Sequence, residues 1–290
     1  FAVDKVAGKI LTESDIDQEL ASKYPYRDWL KQNSSYIESN LVQSEGLGLK
    51  KISPKKYTLA TKIFSLFLEE RTSVIKVLGV SAQEGTGSMG DDTALAVLSK
   101  QNRQIYDYFR QQFSQVTNPP IDSLREQSVM SLETCYGPEL NIFEPSAEHA
   151  KRLVTYSPIL SYKKLDWILK NKTFKVKTFD LEYEEDSSIS DAIDRLILDV
   201  SDAIDEGVTI IHLNEKLPSK NKLSLNALMA TGALHQALIK QRKRTSANII
   251  VSTGSARDTH QIACLIAFGA TSVTHGLHIR QFSILRIRKS

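Results

Sequence analysis

NIIVSTGSARDTHQIACLIAFGATSVT, residues 248–274, contains two strands and the helix between them. Asn248–Ser252 is an almost continuous apolar run of strand length. Ser255–Phe268 then carries its apolar residues at helical spacing, opened by a Ser255-x-x-Asp258 capping box whose side chains reach unpaired N–H groups of the first turn. Gly269 ends the helix, because a residue without a Cβ enters the left-handed region freely, and Ala270–Thr274 is again a strand. Strands with so little polar alternation, joined through a helix, are parallel and buried on both faces.

The same unit recurs upstream. Phe174–Phe179 reads as a strand. Asp191–Glu206 is an amphipathic helix, with Ile193, Leu196, Ile197, Val200 and Ile204 inward and Gly207 ending it. Val208–Leu213 is an apolar strand, and Ser224–Lys240 a helix with Leu225, Leu228, Leu234 and Leu238 mostly to one side. The repetition predicts an α/β fold with a parallel sheet of about four strands, either half of a barrel or a small open sheet.

The first half is less regular. Ser14, Asp15 and Asp17 start a short helix through Leu20, and Pro25–Leu30 is a turn re-entering a helix. Asn33–Lys56 is polar, contains Gly46, Gly48 and Pro54, and reads as a mobile loop. Leu59–Glu70 is helix-like, with Ile63, Phe64, Phe67 and Leu68 on one face. The strongest helical pattern lies between Arg103 and Val116, through Ile105, Tyr108, Phe109, Phe113 and Val116, and Thr117-Asn118-Pro119-Pro120 stops it. The chain therefore divides into an extension and loop at 1–56 and an α/β core at 57–290.

Composition narrows the classes. A net charge of +3 over 290 residues favours no nucleic acid. Cys135 and Cys264 are too few for a disulfide framework or for an iron–sulfur cluster. No apolar run approaches the roughly 18 residues of a membrane helix. The first residue is Phe1 rather than Met, which reads as processing or a fragment. The basic run Lys240–Arg244 complements the end of a helix.

Few residues suggest chemistry. The Gly85–Asp92 loop lacks the phosphate-binding lysine, and its acids repel anions. Thr253-Gly254-Ser255 follows a strand and precedes a helix, where α/β sheets bind anions; the alternative is a short loop with a capping serine. His275-x-x-His278 has no acidic or thiol neighbour to complete a metal site. His212 interrupts an apolar strand and reads as a hydrogen-bonded core residue. Ser255, Asp258 and His260 crowd too closely on one helix to form a hydrolase triad.

Four segments go further. They are Pro25-Tyr26-Arg27-Asp28-Trp29-Leu30; Gly87-Ser88-Met89-Gly90-Asp91-Asp92-Thr93 with Leu95–Ser99; Tyr106–Phe109 continued by Gln115-Val116-Thr117-Asn118-Pro119-Pro120-Ile121-Asp122, Leu124-Arg125-Glu126 and Met130–Thr134; and Phe268–Val273. Together they resemble the central domain of glutamate synthase over nearly the whole chain, most strongly over Gly87–Glu144. The resemblance implies a degenerate, partial β/α barrel preceded by a helical extension. It implies neighbours on the same polypeptide: an amidotransferase domain that releases ammonia from glutamine with an N-terminal cysteine, and an FMN-binding barrel. In that barrel ammonia arriving through a tunnel joins 2-oxoglutarate. A three-iron, four-sulfur cluster relays electrons from ferredoxin or a pyridine-nucleotide-oxidising subunit. The central domain itself is expected to hold no catalytic residue, cofactor or metal, and to meet neither nucleic acid nor membrane. Plastid stroma or bacterial cytoplasm is the expected location.

Asn118, Asp122, Arg125 and Glu126 then have two readings: a rigid Pro-Pro corner capping its own backbone, or a domain contact that shapes the ammonia path. The chain departs from the family at Ala94 and Ser123, where proline is usual, near Val80–Ala82, at the single His235, and over Thr274–Ser290. Two other readings remain: a self-contained α/β enzyme or anion-binding domain built on Thr253-Gly254-Ser255, and an interaction module using the face around Tyr108 and Phe113.

Overall fold

A computed structural model describes residues 1–38, 53–81, 83–85, 97–98, 100, 103–112 and 120–275. One parallel sheet organises them, formed by β1 (Ile159–Leu160), β2 (Val176–Asp180), β3 (Ile210–Asn214), β4 (Asn248–Thr253) and β5 (Ser272–His275). The order is β1-β5-β4-β3-β2, and every neighbouring pair is parallel. Between successive strands run α1 (Tyr162–Lys170), α2 (Ile189–Asp205), α3 (Ala227–Lys240) and α4 (Thr259–Ala267). Strands β2 to β5 follow one another as in a β/α barrel. β1 and β2 stand at opposite edges, so the sheet is open and the barrel partial. The sheet has five strands where about four were expected, because two-residue β1 is too short to leave a periodic pattern.

Local chemistry sets the helix ends. Asn226 opens α3 by accepting from Leu228 N at 2.9 Å, and Ser188 opens α2 by accepting from Asp191 N at 3.0 Å. Asp258, not Ser255, caps α4, accepting from Gln261 N at 2.7 Å. The expected capping box is absent because the Ser255 hydroxyl is bound to Glu215 instead. Gly207 and Gly269 close α2 and α4 at φ +86° and +112°. A Cβ on Gly269 would also lie 2.4 Å from the His235 ring.

Strand alternation distributes two cores. Phe179, Ile211, Leu213, Ile249, Val251 and Val273 face α2, α3 and α4, where Val200, Leu228, Leu234 and Leu265 meet them. Ile210, Ile250 and Leu160 face the other way, against Leu165 and Ile168 of α1 and against Ile37, Tyr136 and Leu153. The last three belong to or adjoin a three-stranded sheet of Ser34–Tyr36, Arg152–Thr155 and Thr134–Tyr136. Each fully buried Ile or Leu here stabilises by about 1.5–3 kcal/mol.

His212 stands in the middle of the second face, 4% exposed. Its Nδ1 is 3.0 Å from Thr178 Oγ1 and its Nε2 2.7 Å from Ser252 Oγ. The expected hydrogen-bonded core histidine is thus found. Burial, partly opposed by Asp180, lowers its pKa to about 4.

Three expectations about the first half need comment. The helices Glu13–Ser22 and Tyr26–Asn33 form, the first capped by Thr12 and Asp15 in a capping box. The helix read at Leu59–Glu70 instead spans Pro54–Ile63 and breaks where Ser65 takes φ +50°, turning Phe64 and Leu66 into the interior. In the described part of Arg103–Val116 only Ile105–Tyr108 winds, as a 3-10 turn, and Phe109 is already extended. Tertiary contacts override the pattern: Tyr106 is fully buried, and Phe109 packs edge-on against Phe268 at 4.9 Å. Tyr108, part of the apolar helical pattern, is 60% exposed. Most of the Asn33–Lys56 loop lies outside the described residues.

The histidine yields a pH prediction. Its folded pKa lies below the ordinary 6.5, so the unfolded chain takes a proton that the folded chain refuses. The stability it contributes is complete above pH 6.5 and is lost as pH falls towards 4. The loss amounts to about 3 kcal/mol, and His212→Gln should flatten it in urea titrations between pH 7 and 4.5.

Candidate functional site

Ligands of parallel α/β sheets gather at the carboxyl ends of the strands, and here that end is occupied by the protein itself. Glu215 follows β3 directly and is 7% exposed. Its Oε2 accepts from Ser255 Oγ at 2.9 Å and from Thr253 Oγ1. Its Oε1 accepts from the N–H of Ala227, first residue of α3, at 3.2 Å. Ser255 N donates to Thr253 Oγ1 at 2.9 Å, and Tyr106 OH lies 3.3 Å from Ser255 Oγ. Burial raises the Glu215 pKa against the lowering effect of these donors. Burial, and then Glu215, raises that of Tyr106. The groups that would hold an anion at Thr253-Gly254-Ser255 are therefore engaged by a carboxyl of the same chain.

Arg257, 2% exposed, seals the same end. Its Nε and Nη2 grip Glu70 Oε1 and Oε2 at 2.5 and 2.9 Å. Nη1 donates to the carbonyls of Phe64 at 2.9 Å and Gly254 at 3.3 Å. Gln104 Nε2 donates to Phe64 O as well, at 3.1 Å, and Thr259 Oγ1 donates to Glu84. Residues 64–81, with Glu84, are thereby strapped over the strand ends, with a π-helical turn, Arg71–Ile75, directly after Glu70. Sequence reading missed Glu215, Arg257 and Glu70. The available signal was a lone acid immediately after an apolar strand, the usual place for a functional group.

The other candidates disperse. His260 Nε2 faces Tyr106 O at 3.1 Å, while Asp258 caps α4, so Ser255, Asp258 and His260 do not converge. The basic run ties the fold together: Lys243 Nζ reaches Ser201 Oγ at 2.7 Å and Asp205 at 2.5 Å, and Arg244 reaches His235, Ala247 O and Gly269 O. Asp122 Oδ1 accepts from Leu124 N at 3.0 Å and Arg125 N at 2.9 Å, closing a local corner. Glu126 opens the short helix Glu126–Val129, and Asp122, Arg125 and Glu126 are not buried. Asn118, residues 86–92 and His278 lie outside the described residues. Among those described, no three His, Cys, Asp or Glu gather to hold a metal, and no helix is long and apolar enough to cross a membrane.

Two outcomes follow for the strand-end cluster. Arg257→Leu should cost about 3 kcal/mol by leaving Glu70 unpaired, and should open the 64–81 strap to limited proteolysis; an unchanged digest would remove the strap from the account. Glu215, with its folded pKa raised above 4.5, contributes stability that is fully present below that value and lost as pH rises through the folded pKa. Glu215→Gln should therefore gain on the native chain from pH 5 to pH 8 in urea melts, and parallel curves would contradict the assignment.

Comparison with known proteins places this architecture. The family described as glutamate synthase central domain matches residues 60–287. The ferredoxin-dependent glutamate synthase of Cyanidium caldarium is 36% identical over 275 residues, which is 91% of this chain and 17% of that protein. Ferredoxin-dependent glutamate synthase 2 of Synechocystis sp. is 35% identical over 281 residues, 94% of this chain and 18% of that protein. The NADPH glutamate synthase large chain of Bacillus subtilis is 31% identical over 274 residues, 93% of this chain and 18% of that protein. The chain thus spans less than a fifth of the length of these relatives. With the match covering most of its residues and its open βα sheet, the chain belongs to the glutamate synthase central domain family.

Proposed function

We propose that this chain is the non-catalytic connecting domain of a glutamate synthase polypeptide. It joins a glutamine amidotransferase domain to an FMN-binding synthase domain and contributes to the ammonia path in glutamate biosynthesis. The observation that carries this reading is the closed strand end: the polar groups that the fold would offer a ligand are bound to Glu215 and Glu70. A domain so arranged serves through its shape and surfaces. FMN, the three-iron cluster and the nucleophilic cysteine belong to the rest of the polypeptide, and electrons come from ferredoxin or a pyridine-nucleotide-oxidising subunit. Residues 1–56 act as the extension and 57–290 as the core, in a plastid stroma or bacterial cytoplasm.

The surface supports a role among neighbours. Leu124, Leu132, Ile142 and Phe143 are 92%, 63%, 77% and 86% exposed within one stretch of the chain. So many large apolar side chains exposed within one stretch of sequence support a contact with another domain. Asp122, Arg125 and Glu126 share this stretch, and with Asn118 they supply its polar contacts to the neighbouring domain.

The test compares this chain with the native polypeptide that contains it. The native product should be several times longer and show flavin absorbance, whereas the 290-residue chain should be colourless and without turnover. Hydrogen exchange over residues 120–144 should slow in the long form. A native product of this size, colourless and stable, would overturn the reading. Asp122→Ala with Arg125→Ala should change the stability of the isolated chain by under about 1 kcal/mol, while glutamine-dependent glutamate formation by the long form falls.

A further inference from the structure

On the face of the sheet turned away from α2, α3 and α4, a slanting polar row crosses the strands. The register sets Thr178 of β2 beside His212 of β3, and Ser252 of β4 beside Thr274 of β5. His212 joins the two pairs through Thr178 Oγ1 at 3.0 Å and Ser252 Oγ at 2.7 Å. Ile250 stands level with His212 and, like Ile210, is fully buried. Asn214 stands level with Ser252 and donates to Asp180 at 2.7 Å near solvent.

The row is incomplete at its far end. Thr274 is fully buried, and among the described residues its Oγ1 has no hydrogen-bond partner. The layer covering this face contains a second such atom: Glu38 Oε1 accepts from Lys164 and Thr155, while Oε2 is buried without a partner among the described residues. Lys164 is carried by α1, which packs on β5 and β1. Interior hydroxyls are almost always paired, through ordered water where no protein atom reaches. Ser252 Oγ, next to Thr274, retains capacity beyond its bond to His212, since a hydroxyl offers one donor and two lone pairs.

We propose that Thr274 Oγ1 and Ser252 Oγ form a binding site for a single small neutral molecule with both donor and acceptor character, water in the resting protein. Neither hydroxyl is charged, and the carboxylate level with them, Asp180, lies two strands from Ser252 and is bound by Asn214 and Lys216, so an ion at Thr274 would be poorly compensated. A bound molecule of this class extends the hydrogen-bonded line from Thr178 through His212 to β5. The site is separate from the strand-end cluster and does not depend on the role proposed above.

A high-resolution crystal structure of the 290-residue chain, read together with two variants, tests it. Density for a bound molecule should lie within hydrogen-bonding reach of Thr274 Oγ1. Thr274→Val keeps the shape and removes the hydroxyl, and it should lower Tm by about 2 °C or more. A higher Tm, the sign expected when an unpaired hydroxyl is relieved, overturns the proposal, as does a structure in which Oγ1 bonds a protein atom. If the valine variant fails to fold, Thr274→Ser decides: density kept beside the serine supports the site, and its loss refutes it.

Discussion

A guanidinium that stays charged at any ordinary pH cannot be buried unless its donors are satisfied. Arg257 is buried to 2% exposure, and this constraint arranges everything around it. Glu70 must lie alongside it, and the Phe64 carbonyl must turn towards it. Both demands fall on a segment nearly two hundred positions earlier in the chain, 187 for Glu70. The break at Ser65 follows, because a helix continuing through Phe64 would keep that carbonyl for its own next turn. The order of the 54–81 region is thus imposed from the loop between β4 and α4.

The strap and the carboxyl beneath it explain each other. Glu215 is held by two hydroxyls and the first N–H of α3, an arrangement that in a ligand-binding α/β protein would meet an external anion. Because the carboxyl belongs to the chain, these strand-end groups are paired from within and can be covered. Covering it raises the cost of every polar group inside, which is why Tyr106, Ser255 and Thr253 are drawn into one hydrogen-bonded set. The carboxyl end of this open parallel sheet is therefore filled by the chain's own side chains.

The repeating half of the fold was legible because its causes are local. Apolar periodicity, a cap and a terminating glycine lie within each element, so α2, α3, α4 and the strands β2 to β5 could be read to within a few residues. The capping by Asp122 has the same local cause, since it accepts from backbone only two and three residues away. What failed depends on distant partners. The helical spacing from Ile105 to Phe109 is real, yet Tyr106, outside the apolar stripe, is the residue buried against Ser255, while Phe109 meets Phe268 from extended backbone. Ser255 resembled a cap because its sequence neighbourhood gave no sign of Glu215, 40 positions earlier.

The two faces of the sheet solve the same burial problem differently. On the helix side apolar side chains interlock at mid-strand, and the buried polar groups of the strands gather at the strand end around Glu215. On the other side the three-stranded sheet and α1 bring Tyr136, Glu38 and Lys164 into the interior, so polar side chains on the strands find partners across the layer, as Ser272 does with Tyr136 at 2.6 Å. That difference is why β3 can carry a histidine between two isoleucine-and-leucine positions. His212 points into the layer that already tolerates hydroxyls, while Ile211 and Leu213 on either side point into the one that does not. A one-residue slip of β3 would exchange these environments and leave His212 without an acceptor or donor among Val200, Leu228 and Leu234. The histidine therefore fixes the register of the central strand more sharply than any aliphatic residue at that position could.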